Sequence, residues 1–127
     1  MGAGGVTVAT RQEVTIDGFL PVQVANGAHG HWSKRYRMHR VEMATAWGAA
    51  KHAGWQRITS RARLTITLVF SVPRRRDTDN LYARCKGLVD GIKPFCVDDS
   101  TEWLELIVLA EVIPGVRRTH LLLEALP

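Results

Sequence analysis

The chain has 127 residues, 46% of them apolar and 23% charged, with a formal net charge of +5, which fits one globular domain with a modest core. No apolar run approaches the ~20 residues that span a bilayer, and the opening MGAGGVTVAT lacks the basic region and apolar block of a secretory signal. Two cysteines, Cys85 and Cys96, make neither a disulfide framework nor a metal spacing, so the expectation is a cytoplasmic protein without a membrane segment.

The charge is unevenly spread. Residues 1–76 hold twelve Lys/Arg against three Asp/Glu, a balance of +9, whereas residues 77–127 hold five against nine, a balance of −4. A basic field of this kind attracts polyanions, with nucleic acid the usual candidate.

In chain order, residues 1–9 are rich in Gly and Ala and are expected to fray. Residues 13–17 alternate polar and apolar as a short strand does, and Gly18 and Pro21 interrupt them. The loop from Asn26 to Ser33 carries His29 and His31, only two of the ligands a zinc site requires, so these histidines read as solvent- or phosphate-facing. A helical pattern runs from Ser33, read as an N-cap, to Ala53, with Tyr36, Met43, Ala46, Trp47 and Ala50 on one face and Gly54 as the stop. Its first turns carry Lys34, Arg35, Arg37 and Arg40 interleaved with Trp32 and Tyr36. They form either a nucleic-acid backbone-binding surface with aromatic platforms, or a solvated helix face whose aromatics belong to the core. Residues 62–70 alternate as the clearest strand in the chain and deliver Arg74 to Asp77 to the rim of the sheet.

Five of the six aspartates, Asp77, Asp79, Asp90, Asp98 and Asp99, then fall directly behind Arg74, Arg75 and Arg76. Carboxylates crowded in this way repel one another unless cations or hydrogen-bond donors compensate them. Asp79 is placed to cap a helix on which Leu81, Cys85, Leu88 and Ile92 form one apolar stripe, with Asp79, Lys86 and Asp90 on the opposite side. On the plainest reading Lys86 and Asp90 are a surface ion pair four residues apart. The alternative is a functional site. A helix N-terminus that follows three arginines suits a phosphate, and a second acidic pair returns after one short loop. Residues 102–112 and 116–123 read as two strands joined in a hairpin at Pro114–Gly115. The order strand, helix, strand, helix, strand, strand predicts an α/β fold of the α+β type, a single domain in which two main helices pack on one face of a small mixed sheet.

The same residues resemble the RusA family of Holliday-junction resolvases, endodeoxyribonucleases common in phages and prophages. The family pattern is an arginine-flanked Asp-x-Asp-Asn-Leu, a helical lysine, an aspartate four residues later and an Asp-Asp pair before a strand. Arg76, Asp77, Asp79, Asn80, Leu81, Lys86, Asp90, Asp98 and Asp99 fit it in order. The match covers about residues 72–103, and the lysine stands further beyond Asn80–Leu81 than in the founding members. The resemblance implies a homodimeric phosphodiesterase that resolves four-way DNA in a bacterial cytoplasm. Asp77, Asp79, Asp98 and Asp99 would be metal ligands, Asp99 being favoured in its pair, and Lys86 would orient water or stabilise charge. Asn80 and Asp90 would support the site; Arg74, Arg75 and Arg76, and from the basic helix pattern Lys34, Arg35 and Arg37, are expected to contact DNA. Hard carboxylate oxygens suit Mg²⁺, with Mn²⁺ as a substitute. Two other classes stay open: a catalytically silent DNA-binding module, and a metal-dependent nuclease for other branched DNA or RNA.

Overall fold

The computed structural model describes residues 10–22, 32–74 and 76–127, with Trp32 and Ser33 by backbone only. The expectations for residues 1–9, for His29 and His31, for the Trp32 ring and for Arg75 lie outside the described part.

Four strands form one mixed sheet in the order β1-β4-β2-β3, where β1 is Arg11–Asp17, β2 Ala62–Phe70, β3 Leu104–Val112 and β4 Arg118–Ala125. Beside it lie α1 (Trp32–His52), α2 (Thr78–Arg84) and α3 (Lys86–Ile92). The α+β class and the order of elements are as expected, with the second helix in two pieces. Alternation along β2 puts Ala62, Leu64, Ile66 and Leu68, all fully buried, on the face that meets the helices, and half-exposed Arg63, Thr65 and Thr67 on the other. Leu121 and Leu123 of β4 extend this core, and Leu81, Cys85, Leu88 and Ile92 close it from the helix side, as their spacing predicted.

The expected hairpin does not form. β3 pairs with β2 in parallel, Ala62 opposite Leu104 and Phe70 opposite Val112, while β4 pairs antiparallel with both β2 and β1. Parallel neighbours cannot be joined by a tight turn and need a crossover connection, usually helical. The segment α2–α3 is such a crossover, and β3 takes the free side of β2. Pro114–Gly115 then turns the chain past the end of β2, where Ile113 N–H donates to the Phe70 carbonyl at 3.0 Å.

The single helix expected from Asp79 to Ile92 is also corrected. It breaks at Cys85 (φ −89°, ψ 1°), whose N–H reaches back three residues to the Tyr82 carbonyl, and α3 restarts from there. The cap is Asp77, two residues before the one expected.

Helix α1 begins one residue before Ser33 and ends as predicted at Gly54, whose φ of +82° only glycine adopts freely. Gly54 N–H donates to the Lys51 carbonyl and Trp55 N–H to that of Ala50, the paired bonds of a Schellman end. Its buried face differs from the expected one. Ala46 and Ala50 are buried, but Tyr36 is 57% and Trp47 44% exposed. The reason lies in α3, where Gly87 and Gly91, four residues apart, present bare backbone to α1. A Cβ at Gly87 would meet Glu42 Cβ at 3.0 Å, and one at Gly91 would meet Ala46 Cβ at 3.0 Å and the Met43 carbonyl. Two helices this close have room between them for alanine, and the rings of Tyr36 and Trp47 are turned outward. Each ring carries a cation instead: Arg40 lies 5.8 Å from the Tyr36 centroid and Lys51 5.9 Å from that of Trp47. Among the described residues no helix is long and apolar enough to cross a membrane.

Candidate functional site

The C-terminal end of β2 sets the position of the cleft that holds the arginine-flanked motif. Phe70, 5% exposed, is the last strand residue, and the chain then turns through Val72 and Arg74 to Arg76. Arg76 is fixed there by three contacts. Its Nη1 donates to the Arg74 carbonyl at 2.9 Å, its Nη2 to the Val72 carbonyl at 3.3 Å, and its guanidinium lies 3.6 Å from the Phe70 ring centroid.

Asp77 follows in an extended conformation (φ −78°, ψ 139°) and starts α2 through its carbonyl, which accepts from Leu81 N–H at 3.1 Å. Its side chain makes no cap hydrogen bond, so the carboxylate is not committed to the helix. Asn80 and Arg84, three and seven residues on, fall on the same helical face. Phe70, Arg74, Arg76, Asp77, Asn80, Leu81 and Arg84 line a cleft of ≈ 550 Å³. Three guanidiniums thus meet one carboxylate and one amide, an arrangement suited to an oxyanion. Arg84 was not singled out from the sequence, although its spacing from Asp77 and Asn80 was the available signal. Its guanidinium lies 5.4 Å from the Phe70 centroid. Burial, and after it the nearby charge of Arg76, hold its pKa below the ordinary arginine value.

The other predicted site residues are distributed more widely. Asp79 is exposed on the first turn of α2, outside the cleft lining. Lys86 does not line it either. It opens α3 and borders a second cleft, ≈ 660 Å³, between α1 and α3, together with Arg35, His39, Glu42, Arg84 and Asp90. The Lys86–Asp90 ion pair is absent among the described residues, because Asp90 Oδ2 lies 2.8 Å from His39 Nε2 of α1 instead. Glu42 is 8% exposed and accepts a hydrogen bond from Val22 N–H at 2.7 Å. Its burial raises its pKa, and that bond opposes the shift.

Asp98 and Asp99 precede β3, and the parallel register places the start of β3 beside the start of β2. They therefore lie at the opposite end of the sheet from Asp77, which follows the end of β2. Eight residue steps of strand separate the two ends, roughly 26 Å. The loop is tied there by Lys93 Nζ, 3.7 Å from Asp99 Oδ1, and by Asp99 N–H, which donates to Asp98 Oδ1 at 2.8 Å. That backbone bond holds the Asp98 carboxyl below the usual range. Asp77 and Asp79 are thus not brought together with Asp98 and Asp99 within the chain. Among the described residues no group of three or more His, Cys, Asp or Glu is placed to hold a metal ion. The sequence pattern did not reveal this, because a motif read along the chain carries no information on which end of a strand each part reaches.

Lys34, Arg35 and Arg37 are all exposed on the first turns of α1, and Arg74 is exposed beyond β2. With Tyr36 in solvent, the aromatics-in-the-core reading of this helix end does not apply to that ring. No model of a known protein family matches the chain, and no curated protein matches it.

Proposed function

We propose that the protein is a structure-selective endodeoxyribonuclease that cuts four-way DNA, acting as a homodimer with Mg²⁺ or Mn²⁺. The observation that carries this reading is the cleft at the end of β2. There the arginine-flanked motif folds so that Arg74, Arg76 and Arg84 surround Asp77 and Asn80. Fixed cations stabilise the charge that develops on a phosphoryl group under attack. The basic turns of α1 and its outward Tyr36–Arg40 and Trp47–Lys51 pairs supply further backbone-binding surface.

The four aspartates of one protomer do not fit a single cation site. A homodimer that sets the Asp98–Asp99 end of one copy against the Asp77–Asp79 end of the other would unite them, which makes dimerisation a condition of activity in this reading. The ion would supply Lewis-acid polarisation and a more acidic bound water. The separation of the acidic pairs also favours a second reading, a DNA-binding module without catalysis.

One experiment separates the two. A labelled four-way junction and a linear duplex of the same sequence are incubated with the protein in Mg²⁺, Mn²⁺, Ca²⁺ and EDTA. The nuclease reading expects paired nicks in the junction with Mg²⁺ or Mn²⁺, and binding without turnover in Ca²⁺, whose larger, looser coordination shell gives poor in-line geometry. Undiminished cleavage in excess EDTA would contradict the metal requirement. Tight junction binding with no nicks under any condition would establish the module.

A further inference from the structure

The cleft at the end of β2 is organised around one ring. Arg76 reaches the Phe70 ring from the loop after β2 and Arg84 reaches it from the last turn of α2, at 3.6 and 5.4 Å from its centroid. Guanidinium groups are weakly hydrated and stack on aromatic faces, so one ring can hold two cations that would otherwise repel each other. The two are close enough for the charge of Arg76 to act on Arg84. Arg74 adds a third cation to the cleft wall, and Asp77 is the one carboxylate there among the described residues. Arg76 is held before any ligand arrives by the carbonyls of Val72 and Arg74, and Arg84 projects half-buried from a helix whose Leu81 is anchored in the core, with its guanidinium against the same ring. Such a pair meets an anion with little further loss of side-chain freedom.

We infer that Arg84 and Arg76 form a two-guanidinium seat on Phe70 for a nucleic-acid phosphodiester, Arg84 filling from α2 the cationic role that the family resemblance implied for Lys86. The inference deepens the nuclease reading and rests on it for the identity of the anion. Beside its two backbone bonds Arg76 keeps Nε–H and one N–H on each Nη, and together with the Arg84 guanidinium these can bind two phosphate oxygens at once, which a single ammonium does not reproduce. Lys86 borders the cleft between α1 and α3 and does not line the one on Phe70, whereas Arg84 borders both, so Lys86 contributes to general attraction of DNA and not to the seat.

The test compares Arg84→Gln, Arg84→Lys and Lys86→Gln with the wild type. Junction affinity is measured across a salt series in Ca²⁺, single-turnover cleavage in Mg²⁺, and folding by thermal melting. Arg84→Gln is expected to lower the salt slope by about one unit, the loss of one phosphate contact, and to slow single-turnover cleavage on the order of 100-fold or more, the scale of losing a fixed charge-stabilising donor. Arg84→Lys is expected to restore the salt slope and the melting temperature but only part of the rate, which a purely structural arginine would not do. Lys86→Gln is expected to slow cleavage less than Arg84→Gln. A folded Arg84→Gln protein with wild-type slope and wild-type cleavage overturns the seat while leaving the nuclease reading intact. If the Gln variant does not fold, Arg84→Lys decides: wild-type single-turnover cleavage would overturn the seat. If the wild type binds the junction without cutting, the slope alone decides, and a one-unit loss supports the seat while the nuclease reading fails.

Discussion

At Asp77 one residue serves the fold through its carbonyl and the cleft through its side chain. Asp77→Asn leaves the backbone contact to Leu81 in place, and asparagine is as well tolerated at an N-cap as aspartate, so stability should change by no more than about 0.5 kcal/mol. Cleavage should fall by orders of magnitude with junction binding retained or tightened, because one negative charge facing the DNA has gone. The same is expected for Asp79→Asn and Asp99→Asn. Rates and affinities measured side by side check this, and three variants that bind and cut like the wild type would remove the carboxylates from the mechanism. The cysteines give a simpler case. Burial pushes the Cys85 thiol up to about 12 and the Cys96 thiol to about 11, the latter helped by the charge of Asp99. Since the thiolate is the reactive form, neither should react with an aromatic disulfide reagent at pH 8 in the native protein, and both should react in denaturant. A thiol titrating fast under native conditions would refute the burial.

At the scale of the elements, the contact between α1 and α3 holds the helical layer together, and its tightness is testable. Gly91→Ala drives a Cβ into the Met43 carbonyl and the Ala46 side chain, an overpacking expected to cost about 1–3 kcal/mol. Gly48→Ala, in α1 with nothing within 4 Å of the new Cβ, should instead stabilise by about 0.5–1 kcal/mol through helix propensity. Urea unfolding of both decides, and equal midpoints would mean that the helices are not in close contact. Glu42 lies in the same contact. Its folded pKa is raised by burial above the unfolded value, so its stabilising contribution is fully present below the unfolded pKa, where it is protonated in both states. That contribution is lost as pH rises through the folded pKa. Glu42→Gln removes the titration and keeps an acceptor for Val22 N–H. The variant should therefore be more stable than the wild type at pH 7, and its advantage should shrink as pH falls toward the ordinary glutamate value of 4.5. An advantage that is constant from pH 4 to 7, or a loss at pH 7, would contradict this.

At the scale of the whole molecule, the sheet separates the two acidic pairs of the chain and leaves the proposed nuclease reading dependent on a second copy. A four-way junction has near-twofold symmetry, and resolving it takes two nicks, one from each site of a twofold dimer. Sedimentation equilibrium should then give twice the 14.2 kDa chain mass. Cleavage per chain should fall away on dilution below the dimer dissociation constant. Paired nicking by a species that remains monomeric would contradict the dimer and with it the union of the acidic pairs.

Much of the fold is legible in the residues because its causes are local. The alternation of β2, the stripe Leu81–Cys85–Leu88–Ile92 and the glycine end of α1 depend on side-chain period and on the φ available to one residue. The motif from Arg76 to Leu81 likewise marks where chemistry is expected, since its residues are neighbours in the chain. What the tertiary structure decided are matters between distant segments. β3 pairs in parallel with β2 and does not pair with β4, and the crossover α2–α3 is the long connection that a parallel neighbour needs. Asp98–Asp99 lies a full strand length from Asp77, because of that same register. Arg84 joins Arg76 on the Phe70 ring, because the helix face that carries Asp77 and Asn80 turns it into the cleft. No period along the chain encodes these placements. They follow from which segments bury the most apolar surface against one another.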